Sequence, residues 1–202
     1  MINPARLAST LSILLVTVPL TAMSGESVDS ANIVRFNTVC ANCHEGECSG
    51  RLSFHSGAAA ARGHMQRYLG PVGDVDAEQL FRLLRHTKEQ CTHYPVASTI
   101  SVGQAASGED LARWRNPREG GYFIPLGTLA RGEHRLRIAF SAAANGKFRI
   151  TDRKFEPLAE ETLCPEQKQI EVRFASEAGP HFLTIQGSGE LNSLLVEKAD
   201  RN

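Results

Sequence analysis

The stretch TVCANCHEGECSG, residues 38–50, sets Cys40, Cys43 and His44 in a Cys-x-x-Cys-His array, with Cys48 close behind. Two thiols on one helical turn can each add to a vinyl group of the same haem, and the histidine beside them can reach its iron. Such fixation lets a small fold retain the group with little core of its own. Two other chemistries compete. A zinc knuckle needs two more ligands at recognisable spacing, and only Cys48 and His55 are at hand. A redox dithiol normally opens the first helix of a sheet domain after a strand, and no strand pattern precedes Cys40. The expectation is therefore one covalent haem c, with Cys40 and Cys43 as anchors and His44 as the proximal iron ligand.

That chemistry requires export, so the address matters. Met1–Arg6 is a short basic start, residues 7–20 (LASTLSILLVTVPL) are apolar, and Ala22-Met23-Ser24 offers small residues at a cleavage point. This reads as a signal peptide over 1–24. The apolar run falls short of the ~20 residues that cross a bilayer, so a soluble periplasmic or other extracytoplasmic protein is expected, with no transmembrane span in the mature chain. Basic and acidic side chains balance at 22 each, and no clustered basic surface suggests nucleic acid. Five cysteines occur. If two carry haem, at most one internal disulfide remains, and an oxidising compartment favours its formation. Cys48–Cys91 is the preferred pair and Cys164 the leftover, although Cys164 could pair instead.

The elements that must position the motif fall in two halves. Asp29 or Ser30 can cap a helix that runs into CANCH with Ile33, Phe36 and Val39 at helical spacing; a second helix fits AAAARGHMQRYLG, and a third DVDAEQLFRLLRHTKEQC. Residues 96–110, small, polar and glycine-bearing, read as a linker. Beyond them the period changes to two: Leu136, Ile138 and Phe140 alternate with Arg135, Arg137 and Ala139, and Ile170, Val172 and Phe174 behave likewise. The expected fold is α+β in two domains: a small all-α haem domain at 25–95, then an antiparallel β-sandwich, jelly-roll or immunoglobulin-like, at 111–202.

On the strength of CANCH and the last helix EQLFRLLRHTKEQC, residues 31–95 resemble a small class I c-type cytochrome. The resemblance implies a helical haem fold, an electron-transfer role and redox partner proteins. It departs at the distal ligand, which the family places on a loop well after the motif. Here Met65 is the candidate, on the middle helix; His64, His55 and His93 are alternatives, and an open iron is a further one. Arg51, Tyr68 and Tyr94 could meet a propionate, Trp114 could cover a domain seam or stack on a sugar, and Arg135, Arg137, Arg149 and Arg153 could form a partner face. The leading function is an electron carrier with the sandwich as a docking module. The alternatives are a haem enzyme or gas or redox sensor with an open sixth position, and a glycan- or partner-binding module with auxiliary haem.

Overall fold

The computed structural model describes residues 27–44, 48, 57–98, 100–164 and 167–199; the leader, Arg51 and His55 lie outside the described residues. Alternation in the second half becomes eight strands: β1 (Ala105–Ser107), β2 (Tyr122–Leu129), β3 (Gly132–Phe140), β4 (Asn145–Asp152), β5 (Pro157–Leu163), β6 (Gln169–Ser176), β7 (Gly179–Ser188) and β8 (Leu191–Lys198). They pair antiparallel into two sheets, ordered β1-β8-β3-β6 and β2-β7-β4-β5. Register puts like with like. Leu136 lies opposite Val172 and Val196, Ile138 opposite Ile170 and Leu194. In the other sheet Phe148 opposes Ile185 and Ile150 opposes Leu183.

The two apolar faces meet in one core, in which Trp114 is wholly buried. It therefore offers no platform to a sugar. The Tyr122 hydroxyl accepts the N–H of Leu191 at 3.1 Å and so ties the two sheets together. The polar positions of β3 face outward into a charge ladder. Arg135 contacts Glu197 at 2.8 Å and Arg137 contacts Glu171 at 2.9 Å, each guanidinium also reaching the other carboxylate. Those arginines are answered within their own sheet, which leaves no unbalanced basic face there. Residues 96–110, expected as a linker, contribute β1, paired with β8, and the buried side chains of Ile100 and Ala106.

The first half forms α1 (Ser30–Arg35), a π-helical turn (Phe36–Cys40), α2 (Ala41–His44), α3 (Ala58–Leu69) and α4 (Asp74–Gln90); a short α5 (Gly108–Ala112) follows β1. Asp29 caps α1, its carboxylate accepting the Ala31 N–H at 2.9 Å. Asp74 and Asp76 sit in the first turn of α4, where the helix dipole favours negative charge. Cys91 closes α4 in the left-handed region at φ 55°. It is bonded to Cys48, as expected, while Cys164 is free and exposed.

The expected two-domain fold is corrected by this arrangement. The chain is mostly two antiparallel sheets with a few short helices, and among the described residues there is no all-α haem domain standing by itself. The helices bury Ile33, Phe36, Met65, Leu80 and Leu83 in a cluster completed by Phe123 of β2 and Phe182 of β7. Those two rings stack at 5.4 Å and point away from the sandwich core, so the β2-β7 part of its sheet is covered on both faces. Amphipathic helices this short cannot enclose a core, and their apolar stripes need a partner layer. A sheet supplies it here.

Candidate functional site

The motif sits at the end of a helix that changes pitch. Within it Asn37 Nδ2 donates to the Ile33 carbonyl at 2.8 Å, and Thr38 Oγ1 donates to the Val34 carbonyl at 2.7 Å. Side chains that bond back one turn loosen the regular ladder, and the π turn follows at Phe36–Cys40. Such widened turns recur at functional positions. A second anchor comes from the sandwich. Asn116, 2% exposed, donates from Nδ2 to Thr38 Oγ1 at 2.9 Å, while its Oδ1 accepts the Arg118 N–H at 3.0 Å. Gly121 permits the approach, since a Cβ there would lie 2.7 Å from the Ile185 carbonyl oxygen and 3.6 Å from Thr38 Cγ2. Asn42, inside the motif, accepts a hydrogen bond from Gln186 of β7.

Held this way, Cys40, Cys43 and His44 line a cavity of about 310 Å³ with Phe36, Ala61, His64, Met65, Tyr68, Leu80 and Leu84. Its walls come from the motif helix, α3 and α4. Cys43 and His64 are exposed at its mouth, whereas Met65 is 7% exposed and belongs to the helical core. The His44 and His64 rings face each other across it with centroids 6.1 Å apart and planes at 64°. Tyr68, one turn along α3, lies against His64 at 5.0 Å. Burial, and then the neighbouring Cys43, push the Cys40 thiol up to about 11. That is opposite to the lowered pKa of a redox dithiol. The buried apolar wall beside Cys40 does not favour a thiolate there.

The other sequence candidates are elsewhere. His93 lies in the seam between helices and sheet, where its Nε2 meets Thr151 Oγ1 at 3.0 Å and its ring packs 4.3 Å from Phe182. It does not line the cavity. Tyr94 packs on His86 at 5.1 Å. Asn116, Thr38, Asn42 and Gln186 went unnoticed in the sequence, because a hydrogen bond between residues 78 apart leaves no local pattern. Among the described residues no group of three or more His, Cys, Asp or Glu could hold a metal ion directly, so a zinc centre finds no support there.

Burial drives His93 down to about 3, with Arg149 and His86 adding to the effect. Its folded pKa thus lies below the ordinary unfolded value of ~6.5. Below that value the unfolded chain takes up a proton that the folded chain refuses, so stability falls as pH drops from about 6.5 towards 3, by up to about 1.4 kcal/mol per pH unit for the one proton. Thermal unfolding followed between pH 7 and 4 is expected to show this slope, and His93→Phe to flatten it. An equal slope in that variant would remove His93 as the cause.

No helix among the described residues is long and apolar enough to cross a membrane. No protein-family model matches the chain, and neither does any curated protein. Solved structures do. The carbohydrate-binding module CBM6cm-2 of Cellvibrio mixtus lichenase 5A, in complex with cellotriose, is 15% identical with a TM-score of 0.34, covering 50% of this chain and all of that one. A family GH115 4-O-methyl-alpha-glucuronidase, BtGH115A, is 10% identical with a TM-score of 0.33, over 70% of this chain and 24% of that one. A cycloisomaltooligosaccharide glucanotransferase of Paenibacillus sp. is 15% identical with a TM-score of 0.28, over 55% of this chain and 21% of that one. Likeness at this level concerns facing antiparallel sheets and says nothing of a ligand. The expected self-standing helical haem domain is corrected instead by the two antiparallel sheets that make up most of the chain and cover its helices.

Proposed function

We propose that the chain is an exported β-sandwich binding module that carries one covalent haem c as an auxiliary group in its helical layer. The observation behind this reading is the apolar cavity in which Cys40, Cys43 and His44 stand together against α3 and α4. Cys40 and Cys43 would hold such a group through thioethers, each S–H bond adding across one vinyl double bond, so that no oxidant would be needed. Cys40 and Cys43 fix the group, His44 offers an imidazole, and Phe36, Leu80 and Leu84 exclude water. The haem, when bound, supplies one-electron redox chemistry. Export is in keeping with the Cys48–Cys91 bond, since such bonds persist in oxidising compartments.

Protein secreted with haem-maturation machinery and then denatured is expected to keep the mass of one haem and a c-type α-band. Complete release of the haem into acidified organic solvent would sink the reading. A glycan-binding role for the sandwich is favoured by one observation. Asn42, Lys147, Arg149, Glu160, Thr184 and Gln186 line a polar cleft of about 130 Å³ on the outer face of the β2-β7-β4-β5 sheet, beside the motif. Amides, hydroxyls and charged groups of this kind suit sugar hydroxyls. Retardation in gels containing soluble polysaccharide, lost in Thr184→Ala, supports that role; free migration through all of them removes it.

A further inference from the structure

We infer that His64, backed by Tyr68, is the second axial ligand, so that the iron is closed on both faces by imidazole; the inference rests on the haem reading above. A metal–imidazole bond is roughly 2.0–2.1 Å, and a ring nitrogen stands about 1 Å from its ring centre. Two imidazoles sharing one metal from opposite sides therefore have centres about 6 Å apart. The His44 and His64 rings are already at 6.1 Å, on facing walls of the same cavity. The separation of the ring centres, across an edge contact with planes at 64°, is the one that two such ligands require.

Met65 is placed differently. Adjacent residues on a helix project about 100° apart, so although both line the cavity, His64 stands exposed at its mouth and Met65 at its buried wall. Met65 turns into the helical core with Ala58, Leu80 and Leu83, at 7% exposure. Drawing its sulfur out to an iron would leave a void in that cluster. His64 shares its stripe of α3 with Tyr68 instead, one turn on. Tyr68 is 52% exposed, unusual for a large apolar side chain. Its position is explained by its contact with the His64 ring at 5.0 Å, which restricts how that ring can turn. Tyr68 is thus a positioning residue and His64 the ligand.

The test uses the haem-loaded full chain. The wild type is expected to be low-spin in both oxidation states, without the near-infrared band of a thioether ligand, and unmoved by carbon monoxide. His64→Ala, at an exposed helical position where Ala is well tolerated, is expected to become high-spin and bind carbon monoxide on reduction, with its covalent α-band chemistry intact after denaturation. Met65→Leu should leave the spectrum unchanged. Tyr68→Ala should keep a mainly low-spin state but let part of the reduced haem bind carbon monoxide, because the His64 ring is then held less firmly, which a purely structural role would not produce. A low-spin His64→Ala protein alongside a high-spin Met65→Leu protein would overturn the inference and leave the haem reading standing. A high-spin wild type would overturn it equally. A wild type without covalent haem would overturn both.

Discussion

The chain with both Cys40 and Cys43 changed to Ala is expected to take up none of the covalent haem proposed for the wild type, while remaining folded. Cys43 is exposed and Cys40 only half-buried, and surface substitutions of that kind generally shift stability by within about 0.5 kcal/mol. The loss would then report chemistry and not collapse. Either single variant should keep one thioether and still stain for haem on a denaturing gel. Cys48→Ser removes a disulfide partner and not an anchor, so it should retain the band despite lower stability. That contrast tells the three cysteines of the stretch apart. A double variant that still carried haem through denaturation would show that the attachment lies elsewhere and would remove the motif from the account.

That Cys40, Cys43 and His44 share one stretch of helix was legible because their spacing is local. Cys40, Cys43 and His44 need only one turn of helix to act together, and the apolar spacing of Ile33 and Phe36 announced that helix. α3 and α4 were legible for the same reason, and so was the alternation of β3 and β6. What could not be read was the surface on which the helices lie. A period of 3.6 identifies a buried stripe but not the layer that buries it. The family resemblance filled that gap with a helical domain, and the sheet displaced it. One signal did exist. Tyr122, Phe123, Ile124, Pro125 and Leu126 are buried without alternation, and an uninterrupted apolar run of that length marks a strand covered on both faces. Taken with Phe182, it pointed to a second layer over β2 and β7.

The distal side shows a different limit. Sequence put Met65 first and kept His64, His55 and His93 as alternatives, because any of them is a competent iron ligand. Position separates three of them. His93 is committed to Thr151 and a ring of phenylalanines in the seam; Met65 lines the cavity but is buried in the helical core, and His64 is exposed at the cavity mouth. His55 lies outside the described residues. The distinction between His64 and Met65 is a rotation about one helix axis, which the neighbours of α3 decide and α3 itself does not.

The seam makes the second large prediction. Phe182 is 3% exposed, stacks on Phe123 and lies 4.3 Å from the His93 ring. Phe182→Ala empties a space that helices and sheet both line, and core truncations of this kind cost about 3–5 kcal/mol. For a chain of this size that corresponds to a fall in Tm of roughly 10 °C. Because the cluster belongs to both layers, the loss should appear identically in the fluorescence of Trp114, which reports the sandwich core, and in the haem absorption, which follows the helices. Two self-sufficient domains would behave otherwise: the haem signal would melt apart from the sheet signal, and the substitution would move only one of them. Coincident transitions in the wild type, displaced together in Phe182→Ala, would establish that the helical layer owes its stability to the sandwich. Residues 111–202 expressed without that layer would then expose Phe123 and Phe182 to water, and aggregation of the fragment follows from the same apolar surface.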